Sequence, residues 1–333
     1  MAERLVHIPN IIFYYLKTFL LPFHLTIEQR WIIKTTTGNN FYLPLLIDTL
    51  FFLFFIVIGR FVWKKDRKAF RIFVLFSFWF IAGIFMLLQV FPLDMTVADR
   101  WFYFPMVGLL GMIGISMQAI MGKISRKNMY IGYGIAISII LLLSLRTIVR
   151  NANWVNAITL YSHDSKIYDN DEIENNLGNE YYAEHNYREA LRHFKKSVEL
   201  YPNATNLSNL GSIYEIFNDK ASARKYFYMI LNTDAYSKNT YDYFLVYASS
   251  VLLHSDSPEI ANDFTYKALK KAPHTGYLWA NKAISEYKQL NQKEALAAAE
   301  RAKSLTPNAQ TNYLYTLISE EKEIPEDMVF QLQ

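Results

Sequence analysis

The chain has 333 residues, of which 52% are hydrophobic and 19% charged, too apolar for a disordered polymer and long enough for two domains. It contains no cysteine, which excludes a disulfide framework, a thiolate metal site and a cysteine nucleophile. Its net charge of +4 hides a division: residues 1–150 carry 16 Lys/Arg against 6 Asp/Glu, a net of +10, and residues 151–333 carry 18 against 24, a net of −6.

In chain order, the first apolar stretch covers residues 11–25 and is cut by Lys17 and Pro22. It is too short to span a bilayer and does not read as a signal peptide. Lys17, His24 and the nearby aromatics predict a helix lying in the outer interface, so residues 1–41 are expected to form an external interfacial segment. The alternative is a remnant of a larger membrane domain lying upstream. Four longer apolar runs follow, at about 42–63, 72–91, 102–121 and 129–149. Each has about the 20 residues that a membrane helix needs, and almost none shows the polar stripe of a helix buried in a soluble protein. A four-span transmembrane domain is therefore expected over residues 42–149.

Loop charges orient the spans. Lys64, Lys65, Arg67, Lys68 and Arg71 follow span one, and Lys123, Arg126 and Lys127 follow span three, so both loops should be cytoplasmic. The loop carrying Asp94, Asp99 and Arg100 should face outside, together with residues 1–41 and everything after span four. Asp48 lies about two turns inside span one. It is either a functional intramembrane carboxylate or one that reaches the interface.

After a linker at 150–170 the sequence becomes periodic. NLGNEYYAEHNYREALRHFKKSVELYP (176–202) aligns with NLGSIYEIFNDKASARKYFYMILNTDA (209–235), and Gly178 and Gly211 are 33 residues apart. The first repeat has Leu177, Gly178, Tyr181, Ala190, Phe194 and Pro202; the second has Leu210, Gly211, Tyr214, Ala223 and Phe227. A third, at about 242–273, keeps Ala261, Ala268 and Pro273 but loses the Gly and Tyr. A fourth, at about 276–307, keeps Trp279, Ala295, Ala302 and Pro307. This pattern resembles the tetratricopeptide repeat (TPR), a 34-residue helix–turn–helix unit. Small residues allow close helix approach, large ones fill the space between hairpins, and Pro ends the second helix. The expectation is a TPR domain of about four repeats over 171–319, including a cap helix at 309–319, then a polar tail at 320–333. The fold class is all-α: a polytopic helical membrane domain followed by a TPR α-solenoid.

Asn176, Asn209 and Asn281 recur at one position of the first helix in three repeats, with Asn179 beside them. An Asn amide can both donate to and accept from a peptide backbone, so the row is a candidate peptide-binding groove on the concave face. The other reading is that Asn is simply common at this repeat position.

Two further motifs join the halves. ADRWFYFPMVGL (98–109) contains Asp99, Arg100, Tyr103, Pro105 and Gly108; RNANWVNAITLYSHD (150–164) contains Arg150, Trp154, Leu160 and Tyr161. With YYLKTFLLPFHL (14–25), these stretches resemble, in order, a family of multi-spanning membrane proteins with C-terminal TPRs. It includes bacterial TPR membrane proteins and the eukaryotic transmembrane and TPR repeat-containing protein O-mannosyltransferases. The family resembles the type-C glycosyltransferases, which use lipid-phosphate-linked sugars on the outer or lumenal side through acidic residues of a first external loop. The resemblance begins at the family's later part, so no residue here is assigned a catalytic role and enzyme activity stays open. The expectation is a truncated product, a partner of a separate N-terminal catalytic half, or a repurposed remnant.

The resemblance implies a polyprenyl-phosphate sugar as donor, with Arg100, Asp99 and Tyr103 as candidate lipid-phosphate-binding residues, since guanidinium matches phosphate geometry. A local Asp99–Arg100 interaction that fixes the loop is the alternative. Resident cofactors and metals are not expected: the seven His residues form no ligand pattern, and P-loop, GxSxG and GxGxxG motifs are absent. The basic loops abut spans and imply anionic lipid, not nucleic acid. The sequons at Asn203 and Asn206 would matter only in a secretory pathway. Expected partners are membrane lipids and an extended peptide or protein on the TPR concave face. The expected function is the acceptor-binding and lipid-side portion of a type-C-like protein glycosyltransferase, or alternatively a non-enzymatic membrane TPR scaffold for protein interaction or envelope assembly. The expected location is a bacterial plasma membrane with an extracytoplasmic TPR domain, or an ER membrane with a lumenal one.

Overall fold

The structure is a computed structural model that describes all residues except 1–4, 32–34, 92, 94, 122–125, 234–237, 327, 329 and 331–333. Asp94 and Lys123, both used above to orient loops, lie outside the described residues. Among the described residues the backbone is helical apart from loops and one isolated antiparallel bridge, Gln29 with Val97. The chain divides into two compact units, Met1–Asn170 and Asp171–Gln333.

The first unit holds four helical stretches long and apolar enough to cross a membrane: Gly38–Lys65, Arg67–Leu87, Asp99–Ile120 and Asn128–Trp154. Ahead of them comes α1 (Ile8–Leu20). Its apolar face is not left to lipid. Ile11, Ile12, Tyr15 and Leu16 are buried against protein, and the Tyr15 ring stacks on Phe102 at 5.1 Å. Four apolar residues at i, i+1, i+4 and i+5 make one stripe, and an aromatic-rich span end covers it. The helix expected from composition to lie in an interface is thus docked on the apolar helices of the first unit.

Helix α2 (Leu43–Lys65) takes Pro44 in its first turn, where a missing N–H costs nothing. Asp66 ends it and at once caps α3 (Arg67–Leu87), accepting from the N–H groups of Lys68 at 2.7 Å and Ala69 at 3.3 Å. Helix α4 (Tyr103–Met121) lies tightly on α3. A Cβ on Gly108 would sit 2.5 Å from the Phe80 nitrogen, so this glycine of the first motif is what lets the two backbones meet. The Lys65 ammonium donates to the Ala119 carbonyl near the end of α4, which places the ends of spans one and three at one level. Helix α5 (Arg126–Asn151) differs from the rest: none of its most apolar window is buried. Near its end Arg146 donates to the carbonyls of Pro22 and Phe23, both at 2.9 Å. The stretch read as linker contains α6 (Ala157–Ile167), with Leu160 and Asp164 buried.

The second unit is a stack of hairpins: α7 (Asp171–Ala183) with α8 (Tyr187–Leu200), α9 (Ala204–Ile216) with α10 (Lys220–Ile230), α11 (Lys238–Ser255) with α12 (Pro258–Lys271), and α13 (Gly276–Lys288) with α14 (Gln292–Leu305). The cap helix is α15 (Ala309–Ser319). Inside each hairpin one pair of facing positions sets the helix separation. In the first two repeats a glycine faces a phenylalanine: a Cβ on Gly178 would lie 2.5 Å from the Phe194 ring, and one on Gly211 would lie 2.6 Å from Phe227. In the third repeat the same two positions hold Ser249 and Thr265, buried and hydrogen-bonded at 2.7 Å. In the fourth they hold Ala283 and Ala299, both buried. The third repeat therefore loses its glycine without losing the close approach, because its large partner is lost as well.

The turns inside three hairpins place His185, Asn218 and Leu290 in the left-handed region, at φ 59°, 56° and 64°. Asn tolerates this conformation, whereas Leu does not favour it. The tail is not simply solvated: Ile324, Met328 and Phe330 pack on the hydrophobic core of the repeats.

Candidate functional site

Two sets of residues carry polar chemistry, one in each unit. In the first unit the two motifs form a connected cluster at the Asp99 end of α4. The Tyr14 hydroxyl donates to Asp99 Oδ1 at 2.6 Å. Burial first, and the neighbouring Asp99 carboxylate second, push the Tyr14 phenol up, so it stays protonated and remains a donor. One residue on, the Tyr15 hydroxyl meets both the N–H and the carbonyl of Ala98 at 3.3 Å. The YY pair of α1 thereby fixes the loop that leads into span three.

Arg150 and Asp164 form the second half of this cluster. Arg150 donates to Asp164 Oδ1 at 2.9 Å and to Oδ2 at 3.4 Å. The Asp164 side chain is 0% exposed and that of Arg150 9%. Asp164 Oδ2 also accepts the Ile27 N–H at 2.7 Å, which ties the N-terminal segment to the chain beyond span four. His163 Nδ1 lies 2.9 Å from Asp164 Oδ1 and 3.0 Å from Arg150 Nη1. One nitrogen cannot both donate to the carboxylate and accept from the guanidinium. Either Nδ1–H donates to Asp164, or a bare Nδ1 accepts the second N–H of Arg150 Nη1, according to the tautomer. Trp154 lies beneath the Arg150 guanidinium, 5.8 Å from ring centre to Cζ. Arg150, Trp154 and Leu160 thus have structural work: an ion pair, an aromatic platform and a core contact.

Arg100 and Tyr103 stand outside this network. Both are exposed, and among the described residues no ion pair engages Arg100. The local Asp99–Arg100 pair weighed above does not form; Asp99 is instead bound to Tyr14. Asp48 is buried within span one, and neither of its oxygens has a hydrogen-bond partner.

In the second unit, Asn209, Tyr247 and Asn281 occupy one repeat position, and each bonds back to the preceding repeat. Asn209 donates to Asn179 Oδ1 at 3.1 Å and to Asn175 Oδ1 at 2.9 Å. Tyr247 pairs with Ser212 at 2.9 Å, and Asn281 donates to Ser250 Oγ at 2.9 Å. Asn179, Ser212 and Ser250 share one position too. The row thus forms a ladder along the array that joins neighbouring first helices. Asn281 is only 1% exposed, unlike the half-buried Asn176 and Asn209 and the exposed Asn179. The recurrence was readable from sequence; the partner position three residues on was not, because it is Asn in the first repeat and Ser in the next two.

A second polar cluster holds the first hairpin. Buried Glu174 accepts from His193 Nδ1 at 2.6 Å and from Lys196 Nζ at 2.8 Å. Burial alone raises this carboxyl, but the hydrogen bonds from His193 and Lys196 outweigh it and hold Glu174 below its ordinary range. A carboxyl lowered in the folded state contributes stability above its unfolded pKa of about 4.3 and loses it as pH falls further. The thermal midpoint should therefore drop on acidification below about pH 4.5, and Glu174→Gln should flatten that drop. An identical acid profile in both proteins would refute this role. Among the described residues no group of three His, Asp or Glu is placed to hold a metal ion.

Residues 172–204 match the tetratricopeptide repeat family. Human protein O-mannosyl-transferase TMTC3 is 29% identical over 143 residues, covering 42% of this chain and 15% of the human protein. The mouse protein of the same name is 27% identical over 136 residues, covering 40% and 14%. This is a TPR protein that resembles the TMTC O-mannosyl-transferases. The matched segment spans about one seventh of those relatives' length. Among solved structures, the chain is similar to YrrB, described as a TPR protein with an unusual peptide-binding site, at 16% identity over 54% of this chain and 87% of that one, with a TM-score of 0.38. It is also similar to the C-terminal part of a TPR repeat-containing protein from Cytophaga hutchinsonii, at 15% identity over 51% and 68%, with a TM-score of 0.41.

Proposed function

We propose that this chain is the acceptor-binding and lipid-side portion of a type-C-like protein glycosyltransferase, with its repeat array on the extracytoplasmic or lumenal side. The observation that carries the reading is Arg100. Its guanidinium is exposed and unpaired among the described residues, and it follows directly on a carboxylate that Tyr14 has already engaged. A guanidinium left free at a span end suits the phosphate of a lipid-linked sugar, with Tyr103 alongside and Asp99 fixing the loop. The relatives' name, which states O-mannosyl transfer, supports the substrate class. The TPR array supplies the surface for an extended acceptor peptide, with half-buried Asn176 and the amide nitrogen of exposed Asn179, whose oxygen already accepts from Asn209, as its polar groups.

The test is photocrosslinking of the purified chain in detergent with a polyprenyl phosphate probe. Arg100→Ala should lower labelling about tenfold and Arg100→Lys less. The cysteine-free background also allows topology to be read in intact cells. Lys65→Cys should resist an impermeant thiol reagent, and exposed Asn218→Cys should react. Unchanged crosslinking in Arg100→Ala would remove the lipid-phosphate assignment, and the reverse thiol pattern would overturn the orientation. A second reading, a membrane-anchored scaffold without enzyme activity, is supported by one observation: Asp99 and Asp164 are both held by internal partners, and neither is free to act as a base. Labelling insensitive to Arg100 would favour it.

A further inference from the structure

We infer that the C-terminal tail, through residues 322–326, Met328 and Phe330, is a built-in ligand that occupies the peptide groove of the third and fourth repeats, in place of an external peptide. This goes beyond the reading above and requires no glycosyl transfer. The tail runs back over the first helices of these two repeats. The Tyr287 hydroxyl donates to the Lys322 carbonyl at 3.0 Å, and the Ser250 hydroxyl donates to the Phe330 carbonyl at 2.6 Å. Between these two anchors the Met328 N–H donates to the Pro325 carbonyl at 3.1 Å. The Phe330 side chain is 0% exposed and lies 5.7 Å from the Tyr277 ring, measured between centres.

Both backbone anchors are side-chain hydroxyls bonding to main-chain carbonyls, and one aromatic residue is seated among ring and helix side chains. That is the way a groove receives a peptide: backbone bonds give affinity without reading sequence, and a pocket reads one side chain. The segment also lies beyond the cap helix that closes the solenoid, so the array does not need it as a further helix.

Asn281 shows that the tail fits the groove incompletely. Its Nδ2 donates to Ser250 Oγ, the same hydroxyl that holds Phe330. Its Oδ1 is buried, and among the described residues nothing donates to it. An unpaired buried acceptor is a standing cost that a better ligand would relieve. The external partner is therefore an extended peptide that offers an aromatic side chain to Tyr277, a carbonyl to Ser250 and an N–H to Asn281. The tail competes with it intramolecularly, and its high local concentration keeps weak or incorrect peptides out.

The experiment uses the full chain in detergent and has two arms. In the first, Met328→Cys should react with a maleimide at least fivefold more slowly than exposed Asn218→Cys. Adding Ser250→Ala and Tyr277→Ala should bring the two rates together. In the second, a fluorescent synthetic peptide with the sequence of residues 320–333 should bind a chain ending at Glu321 at least tenfold more tightly than it binds the full chain. A peptide carrying Phe330→Ala should lose that binding. Equal labelling of Met328→Cys and Asn218→Cys in the parent would overturn the inference, as would a shortened chain of unchanged helicity that ignores the peptide. If the shortened chain loses its helical signal, excess peptide added to the full-length Met328→Cys protein decides. Faster labelling supports an exchangeable ligand, and an unchanged rate means that the tail is fixed core.

Discussion

Replacing Asp164 by alanine should destabilise the first unit by about 3–5 kcal/mol, the usual cost of breaking a buried ion pair from one side. Arg150 would keep its charge while losing the carboxylate that accepts two of its donors, and the Ile27 N–H would lose its acceptor as well. With total stability on the order of 5–15 kcal/mol, such a loss is a large share. Asp164→Asn should cost less, because an amide oxygen can still accept one bond. The exposed Arg192–Glu189 pair of the second unit is the contrast in kind, and Glu189→Ala should change the stability of that unit by under about 1 kcal/mol. Thermal unfolding in detergent, followed by tryptophan fluorescence, reads this directly, since Trp154 lies against Arg150. A loss below about 1 kcal/mol for Asp164→Ala would mean that the pair is not buried as described.

The second large effect is expected at Gly178. Even a methyl group there would approach the Phe194 ring to 2.5 Å, and that ring is itself buried in the first hairpin and cannot swing aside. Gly178→Ala should cost about 1–3 kcal/mol, and Gly178→Leu more, enough to open the hairpin. Because each repeat contacts only its neighbours, the damage should stay local. Amide exchange should accelerate across Asp171–Leu200 and remain slow in α13 and α14. Gly132→Ala is the contrast: no atom beyond its own helix lies within 4 Å of the added carbon, and exchange across Asp171–Leu200 should stay unchanged. Uniform acceleration across all repeats would show that the array unfolds as one body.

Much of this could be read from the sequence, and what could not follows a pattern. The four long apolar helices needed only composition, because each is apolar nearly all round. The repeats needed only spacing, because a hairpin stack uses the same small and large positions each time. Polar pairs were harder. Tyr14 and Asp99 are 85 residues apart, and Ile27 and Asp164 are 137 apart. No periodicity links such positions, and only the tertiary arrangement brings them together. Arg150 and Trp154 were visible as a motif, but Asp164, the residue that explains them, looked like one more acid in a polar stretch. The Asn row was seen and its bonding direction was not, since a first-helix amide can face the groove or the neighbouring repeat with the same sequence signature. The tail was classed by its Glu and Asp residues, while Ile324, Met328 and Phe330, spaced irregularly, matched no helical or strand period.

The single residue between α2 and α3 has a consequence for how the protein enters a bilayer. Asp66 ends one helix and starts the next, with no loop between Lys65 and Arg67. A reversal this short gives neither span room to insert while the other waits outside. Crossing a bilayer, the two would enter as one helical hairpin, with the lysines and arginines around Asp66 at its tip. Lengthening this turn would free the two helices to enter separately.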